Sequence, residues 1–283
     1  APVPALGGAA AWRPGRWMVV EADESDGSFL SGPRAAALVT NVEPDHLEFW
    51  GGWDRLRDGF REFLTGTDGP RVVCLDDPGA AALGAEVGAA TYGRDEAADH
   101  RLTDLRLGPD GSEFTLLGDG GAVPVRLPLP GLHNALDAAG ALAVVAELGL
   151  DVAAAAAALD GFTGVARRFE RRGSAGGVTV VDDYAHLPTE VRAALAAGRS
   201  GGWERVVAVF QPHRYSRTEA LWQDFGDAFD DADLLVLTGI YPAGEPPRAG
   251  VTGKLLVDAV LDRHPWRALA WMRTLDDVLA YLA

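Results

Sequence analysis

The feature that most narrows what this chain can fold into is a recurring unit: a short apolar run that breaks off in charged or polar residues, followed by a helical pattern. Trp17–Glu21, Ala35–Asn41, Val72–Leu75, Val178–Val181, Val206–Phe210 and Leu234–Leu237 are such runs. Between them, apolar residues recur at helical spacing over Trp53–Leu64, His133–Leu148, Val152–Leu159, Pro188–Ala197 and Thr218–Phe229. Buried strands alternating with helices predict an α/β fold built on mostly parallel sheets. In such sheets ligands collect outside the carboxyl ends of the strands, which is where the reactive residues of this chain stand.

The chain has 283 residues, enough for two cores. From Leu102 to Leu129 the texture changes to short alternating segments separated by Pro109-Asp-Gly111 and Gly118–Gly121, the turn chemistry of antiparallel hairpins. A boundary falls in Gly161–Val165. The expected domains are 1–163, an incomplete central ATPase-type domain with a mostly parallel sheet and a small antiparallel hairpin subregion, and 164–283, a Rossmann-like doubly wound domain.

Charge excludes some partners. The net charge of −16 disfavours nucleic acid and anionic membrane, and no apolar run reaches the length of a membrane span. Without a secretory leader pattern, a cytoplasmic address is the default expectation. Cys74, the one cysteine, lies in the apolar run Arg71–Leu75 and reads as strand packing. Lys254 is the one lysine and lacks a glycine-rich frame, so the chain carries no phosphate-binding P-loop.

Several segments hold chemistry. Glu21-Ala-Asp-Glu-Ser-Asp26 sets four carboxylates within six residues; it reads either as a solvated acidic turn or as a magnesium site, which Asp45-His46 could complete. Gly131-Leu-His-Asn134 opens a helix, so Asn134 serves either as a cap or as a reader of an adenine edge. Arg167-Arg168 follow the boundary and are either solvated or a phosphate clamp. Asp182-Asp-Tyr-Ala-His186 and Gln211-Pro-His-Arg-Tyr-Ser-Arg217 follow two strands, and with Gly239-Ile-Tyr241 they predict one site at one sheet edge.

These blocks, together with Thr40–His46 and Ile240–Glu245, occur in the order and spacing of the Mur ligases, and the resemblance covers nearly the whole chain. It implies an ATP-dependent amide ligase that joins L-alanine to UDP-N-acetylmuramate through an acyl phosphate in peptidoglycan precursor synthesis, with ATP and Mg2+ as cofactors. It also implies roles for individual residues. Glu21 and His46 match magnesium ligands, and His133 with Asn134 matches the adenine-reading pair. Arg168 matches an arginine that reaches the ATP phosphates, and Asp183 an acid that contacts the nucleotide. His186, Arg214 and Arg217 match catalytic residues near the amino acid and the acyl phosphate, Arg214 or Arg217 taking the alanine carboxylate; Tyr184 and His213 line the same loops. Asp137 and Leu187 depart from the asparagine and histidine common in the family. Compared with the family, the chain is expected to lack the N-terminal UDP-binding domain, the P-loop and the last strand. A related ligase with another acceptor, such as a tripeptide, and a non-catalytic remnant are the alternative readings. Oligomeric state is left open.

Overall fold

The computed structural model describes residues 1–283, and the chain divides into two compact units, residues 2–163 and 164–283. In the first unit, the strands β1 (Ala37–Val39), β2 (Arg71–Cys74), β3 (Ala90–Gly93), β4 (His100–Gly108), β5 (Gly111–Gly118) and β6 (Gly121–Leu127) form one sheet in chain order. β1 to β4 run parallel; β4, β5 and β6 are antiparallel. The hairpins are therefore a continuation of the central sheet, joined to it through β4.

The helices of this unit are α1 (Leu47–Trp50), α2 (Trp53–Thr65), α3 (Pro78–Val87), α4 (Leu132–Glu147) and α5 (Val152–Leu159). β2 explains why its sequence is apolar at successive positions. Val73 packs with Leu64, Ala80 and Leu83 of α2 and α3, whereas Val72 and Cys74 pack with Ala135, Ala139 and Leu142 of α4. A strand covered on both faces needs apolar side chains at every position. Asp77 starts α3 by accepting from Ala80 N at 2.7 Å, with Pro78 in the first turn. The same Asp77 oxygen accepts from Val42 N at 3.1 Å, so one carboxylate both caps a helix and pins the loop after β1. Cys74 is buried, and burial pushes its thiol pKa up, consistent with strand packing.

Trp17–Glu21 departs from the expectation. It pairs with no strand, and Met18 and Val19 are 80% and 95% exposed. Apolar patterning makes a strand only where a neighbouring edge supplies its hydrogen bonds, and none lies against this segment in the fold. Helix α3 and strand β3 add elements that the sequence reading did not place.

The second unit contains β7 (Glu170–Ala175) and β8 (Val178–Asp182), α6 (Pro188–Ser200), β9 (Val207–Phe210), α7 (Tyr215–Leu221), β10 (Leu234–Leu237), α8 (Lys254–Arg263), β11 (Leu269–Trp271) and α9 (Leu275–Leu282). β9, β10 and β11 form a parallel sheet in chain order, with Leu235, Leu237, Phe210, Phe225, Phe229 and Leu256 in its core. β8 was expected among the parallel strands and stands instead in an antiparallel pair with β7. The cause is local: Gly176 and Gly177, at φ 58° and 82°, make the two-residue turn that folds β8 back on β7. The helix expected over Thr218–Phe229 is α7 followed by a 3-10 stretch, Trp222–Asp227. There Gly226 lies directly against α8, where a Cβ would stand 3.1 Å from the Ala259 carbonyl oxygen. No helix is long and apolar enough to cross a membrane.

Candidate active site

The residues with reactive side chains form clusters that lie within one unit or the other. In the first unit, Glu24, Asp45 and His46 bring their ligand atoms within 4.8 Å of one another. The acidic segment reaches this position through its own turns. Asp23 Oδ1 accepts from Ser25 N at 3.0 Å and Asp26 Oδ1 from Ser28 N at 2.9 Å, while Trp50 Nε1 donates to the Glu24 carbonyl oxygen at 2.9 Å. Phe29 then packs on Trp50, Phe60 and Phe63, clasping the segment to α2. Asp45 is buried, accepts from His46 N at 2.9 Å and lies 3.4 Å from His46 Nε2. His46 holds φ at 51°, a left-handed conformation that non-glycine residues adopt at a cost. Burial, with the Asp45 charge adding to it, pushes the Glu24 carboxyl above its ordinary range.

Two carboxylates converging beside an imidazole suit a hard divalent cation, which would relieve their repulsion. The structure puts Glu24 in this group, whereas Glu21 is exposed at the end of the unpaired segment. At the start of α4, Gly131 occupies the cap position and no side chain caps the helix. Asn134 Nδ2 instead donates to the Pro130 carbonyl oxygen at 2.7 Å and lies 3.1 Å from His133 Nε2. The pair is thus tied to each other and to the loop before the helix.

In the second unit, three loops converge. Those after β9 and β10 leave adjacent parallel strands at their carboxyl ends, and His213 bridges to Tyr241 across them. Tyr241 stacks on His213 at 5.4 Å and 26°. The loop after β8 adds Tyr184 and His186, whose rings lie 5.2 Å from each other and 6.1 Å each from His213. Arg214, at φ 71°, is the cap residue of α7 and donates its N–H to the Tyr241 carbonyl oxygen at 2.8 Å. Arg217 is buried, with Nη1 3.2 Å from His213 Nδ1. Burial, then the charges of Arg217, His186 and Arg214, hold the His213 pKa below its ordinary value, while Glu245 opposes them.

Two glutamates organise these loops: Glu245, which closes the Ile240–Glu245 block but was given no role of its own, and Glu190, which the sequence reading passed over. Glu245 accepts from Ser216 N at 2.9 Å and from Ser216 Oγ at 2.5 Å. Burial would raise its carboxyl, but these bonds, with Tyr215 N–H and the Arg214 charge, hold it below the usual range. Glu190 accepts from His186 N at 2.8 Å and Leu187 N at 3.1 Å, and its other oxygen lies 3.5 Å from Arg168 Nη1. The signal for Glu190 was its place three residues after the start of a helix; for Glu24 and Glu245 no local pattern singles them out. Asp183 accepts from Phe169 N at 2.8 Å and Ala185 N at 2.7 Å, so it shapes the loop that carries Tyr184 and His186.

Residues 16–145 match the Mur ligase middle domain, and residues 167–282 match the Mur ligase glutamate ligase domain. The chain is 43% identical over 274 residues to the UDP-N-acetylmuramate–L-alanine ligase of Geobacter sp. strain M21, covering 95% of this chain and 59% of that protein. It is also 43% identical to the ligase of the same name from Rhodospirillum rubrum, covering 87% of this chain and 54% of that one. The chain thus spans a little over half the length of these curated relatives. Among solved structures, the UDP-N-acetylmuramate–alanine ligase of Thermotoga maritima superposes with a TM-score of 0.74 at 27% identity, over 92% of this chain and 56% of that one. A folylpolyglutamate synthase of Mycobacterium tuberculosis complexed with ADP shares the fold, with a TM-score of 0.64 at 22% identity over 87% of this chain and 55% of that one.

Proposed function

The chain belongs to the Mur ligases, whose middle and C-terminal domains it carries, and from that premise we propose that the protein joins L-alanine to UDP-N-acetylmuramate with conversion of ATP to ADP and phosphate. The observation that carries this reading is the identity of about 43% to ligases of that name along nearly the whole chain. The grouping of Tyr184, His186, His213 and Arg217 supports it.

In this reading the sugar's lactyl carboxylate takes the γ-phosphoryl group of ATP as an acyl phosphate, and a bound Mg2+ would supply charge neutralisation for that transfer. Glu24, Asp45 and His46 would hold the ion, and His133 with Asn134 would read the adenine. Arg168 would reach the phosphates, and Asp183 would set the loop that faces the nucleotide. Arg214 or Arg217 would hold the alanine carboxylate, since a guanidinium fork matches a carboxylate in two bonds.

The test uses protein expressed from the intact reading frame that carries this chain. Phosphate release is followed with ATP, Mg2+ and UDP-N-acetylmuramate while L-alanine, glycine, L-serine and a tripeptide are offered in turn. Release that depends on alanine above the others is the expected result. Preference for the tripeptide would assign the protein to a recycling ligase, and no release with any acceptor would make it a non-catalytic member.

A further inference from the structure

We propose that His186 and His213 are held in opposite tautomers and have opposite duties in amide formation: His186 removes a proton from the attacking ammonium through Nε2, and His213 donates a hydrogen bond through Nε2–H. This rests on the ligase reading above and adds the proton chemistry to it.

The tautomers follow from what each ring faces. His186 Nδ1 lies 2.9 Å from the Tyr184 carbonyl oxygen. A carbonyl only accepts, so Nδ1 carries the hydrogen, and the neutral ring keeps its lone pair on Nε2. Glu190 lies 3.5 Å from the same Nδ1 and accepts from the backbone N–H groups of His186 and Leu187. A base whose far nitrogen is fixed by an acceptor and a carboxylate is a recurring arrangement in nucleophilic catalysis. At His213 the pattern is reversed. Arg217 Nη1 lies 3.2 Å from His213 Nδ1, and a guanidinium only donates. Nδ1 therefore holds the lone pair, and the hydrogen of the neutral ring is on Nε2. A second proton on His213 would set an N–H against the guanidinium, and burial together with the Arg217 charge disfavours the protonated ring.

The groups around His186 are Tyr184 from its own loop, Glu190 from α6 with Arg168 on its far oxygen, and His213 from the loop after β9. Around His213 stand Arg217, Arg214, Tyr184, Tyr241 and Glu245. Protonated His213 would repel an incoming ammonium, whereas neutral His213 leaves the cationic work to the arginines.

The step balances. Alanine arrives with an ammonium that has no lone pair. Transfer of one N–H proton to His186 Nε2 leaves an amine and an imidazolium. The amine pair forms the C–N bond to the acyl-phosphate carbon while the carbonyl π pair moves to oxygen. As that pair returns, the C–O bond to phosphate breaks, phosphate leaves with its electrons, and a second nitrogen proton goes to the departing phosphate.

His186→Asn tests this, because its amide N–H can replace Nδ1–H toward Tyr184 while Nε2 is lost. Two activities are compared in protein from the intact reading frame. One is alanine-dependent phosphate release from about pH 6.5 to 9.5; the other is hydroxamate formation, with hydroxylamine replacing alanine. Hydroxylamine is an uncharged amine at neutral pH and needs no base. The expected result is a loss of about 100-fold or more in kcat with alanine, a deficit that shrinks as pH rises, and an alanine KM and hydroxamate rate within about threefold of wild type. His213→Asn, whose Oδ1 can still accept from Arg217, lowers the rate without changing the shape of the pH profile. Equal loss of both activities in His186→Asn, or no loss with alanine, overturns the assignment. Absence of hydroxamate in the wild-type protein instead overturns the ligase reading, and the inference with it.

Discussion

The cluster of Glu24, Asp45 and His46 makes a prediction in which one substitution changes stability in opposite directions under two conditions. Two ionised carboxylates 4.8 Å apart, the outer limit of their separation here, repel by about 3 kcal/mol at an effective dielectric of 20. Glu24 is half-buried, so solvent and the neighbouring imidazole screen part of this, leaving about 1 kcal/mol. Glu24→Gln removes that repulsion, and in a metal chelator at pH 7.5 the first unit should melt about 2–4 °C higher than wild type. With Mg2+ at about 100 times its dissociation constant, the wild type should gain about 2.7 kcal/mol, and the variant, lacking a ligand, should gain much less. The order of stability therefore inverts when Mg2+ is added. The pH dependence has a defined sign. Glu24 binds its proton more tightly in the fold than in the unfolded chain, where the value is 4.5, so its contribution is full below pH 4.5 and is lost as pH rises through the folded value. The magnesium response should disappear on the acid side of that range. Calorimetry with and without chelator reads both effects. A Glu24→Gln protein less stable than wild type in chelator would refute the repulsion, and an undiminished magnesium response would refute Glu24 as a ligand.

Other expectations can be checked by the same methods. Because His46 holds φ at 51°, His46→Gly should be about 1 kcal/mol more stable than His46→Ala in urea titrations, and both should lose the magnesium response; equal midpoints would argue against backbone strain there. His213 prefers its neutral form in the fold, so its stabilising contribution is present above 6.5 and is lost as pH falls through its lowered folded value. Wild type should consequently lose stability relative to His213→Asn between about pH 7.5 and 5.5, read as a difference in melting temperature. Gly84 on α3 places its Cβ direction 2.3 Å from Val73 Cγ2, so Gly84→Ala should destabilise the first unit by about 1–3 kcal/mol; an unchanged urea midpoint would show that the helix can move away.

Where the sequence could be read, the physical signal was local. β2, β9, β10, α2 and α4 show it in the spacing of their own apolar residues, because each buries a face against neighbours on both sides or along one stripe. β7 escaped because Glu-Arg-Arg-Gly-Ser-Ala has no apolar face, and its stability comes from the turn that returns β8 to it. Trp17–Val20 misled for the converse reason, since its apolar pattern is strong and nothing pairs with it. The site showed the same division. Tyr184, His186, His213 and Arg217 were legible because they follow strands whose ends converge. Which carboxylate of Glu21–Asp26 points inward was not legible, because two side-chain turns and one indole bond decide it. Glu245 acts across loops, on Ser216, and such a contact leaves no spacing in the chain, whereas Glu190 bonds back to its own helix start, a local signal of the kind a capping box gives.

Strand β4 joins β3 in parallel on one edge and β5 in antiparallel on the other, and the consequence is kinetic. The antiparallel edge closes through the two-residue turn between β4 and β5, so its ordering costs little chain entropy. The parallel strands must wait for crossovers that bring in α2 and α3, which makes their pairing slower. β4 to β6 can thus assemble first and present an ordered edge on which β3, β2 and β1 are laid down in turn. In pulse-labelled exchange during refolding, amide protection should spread across the sheet from Phe114 toward Leu38.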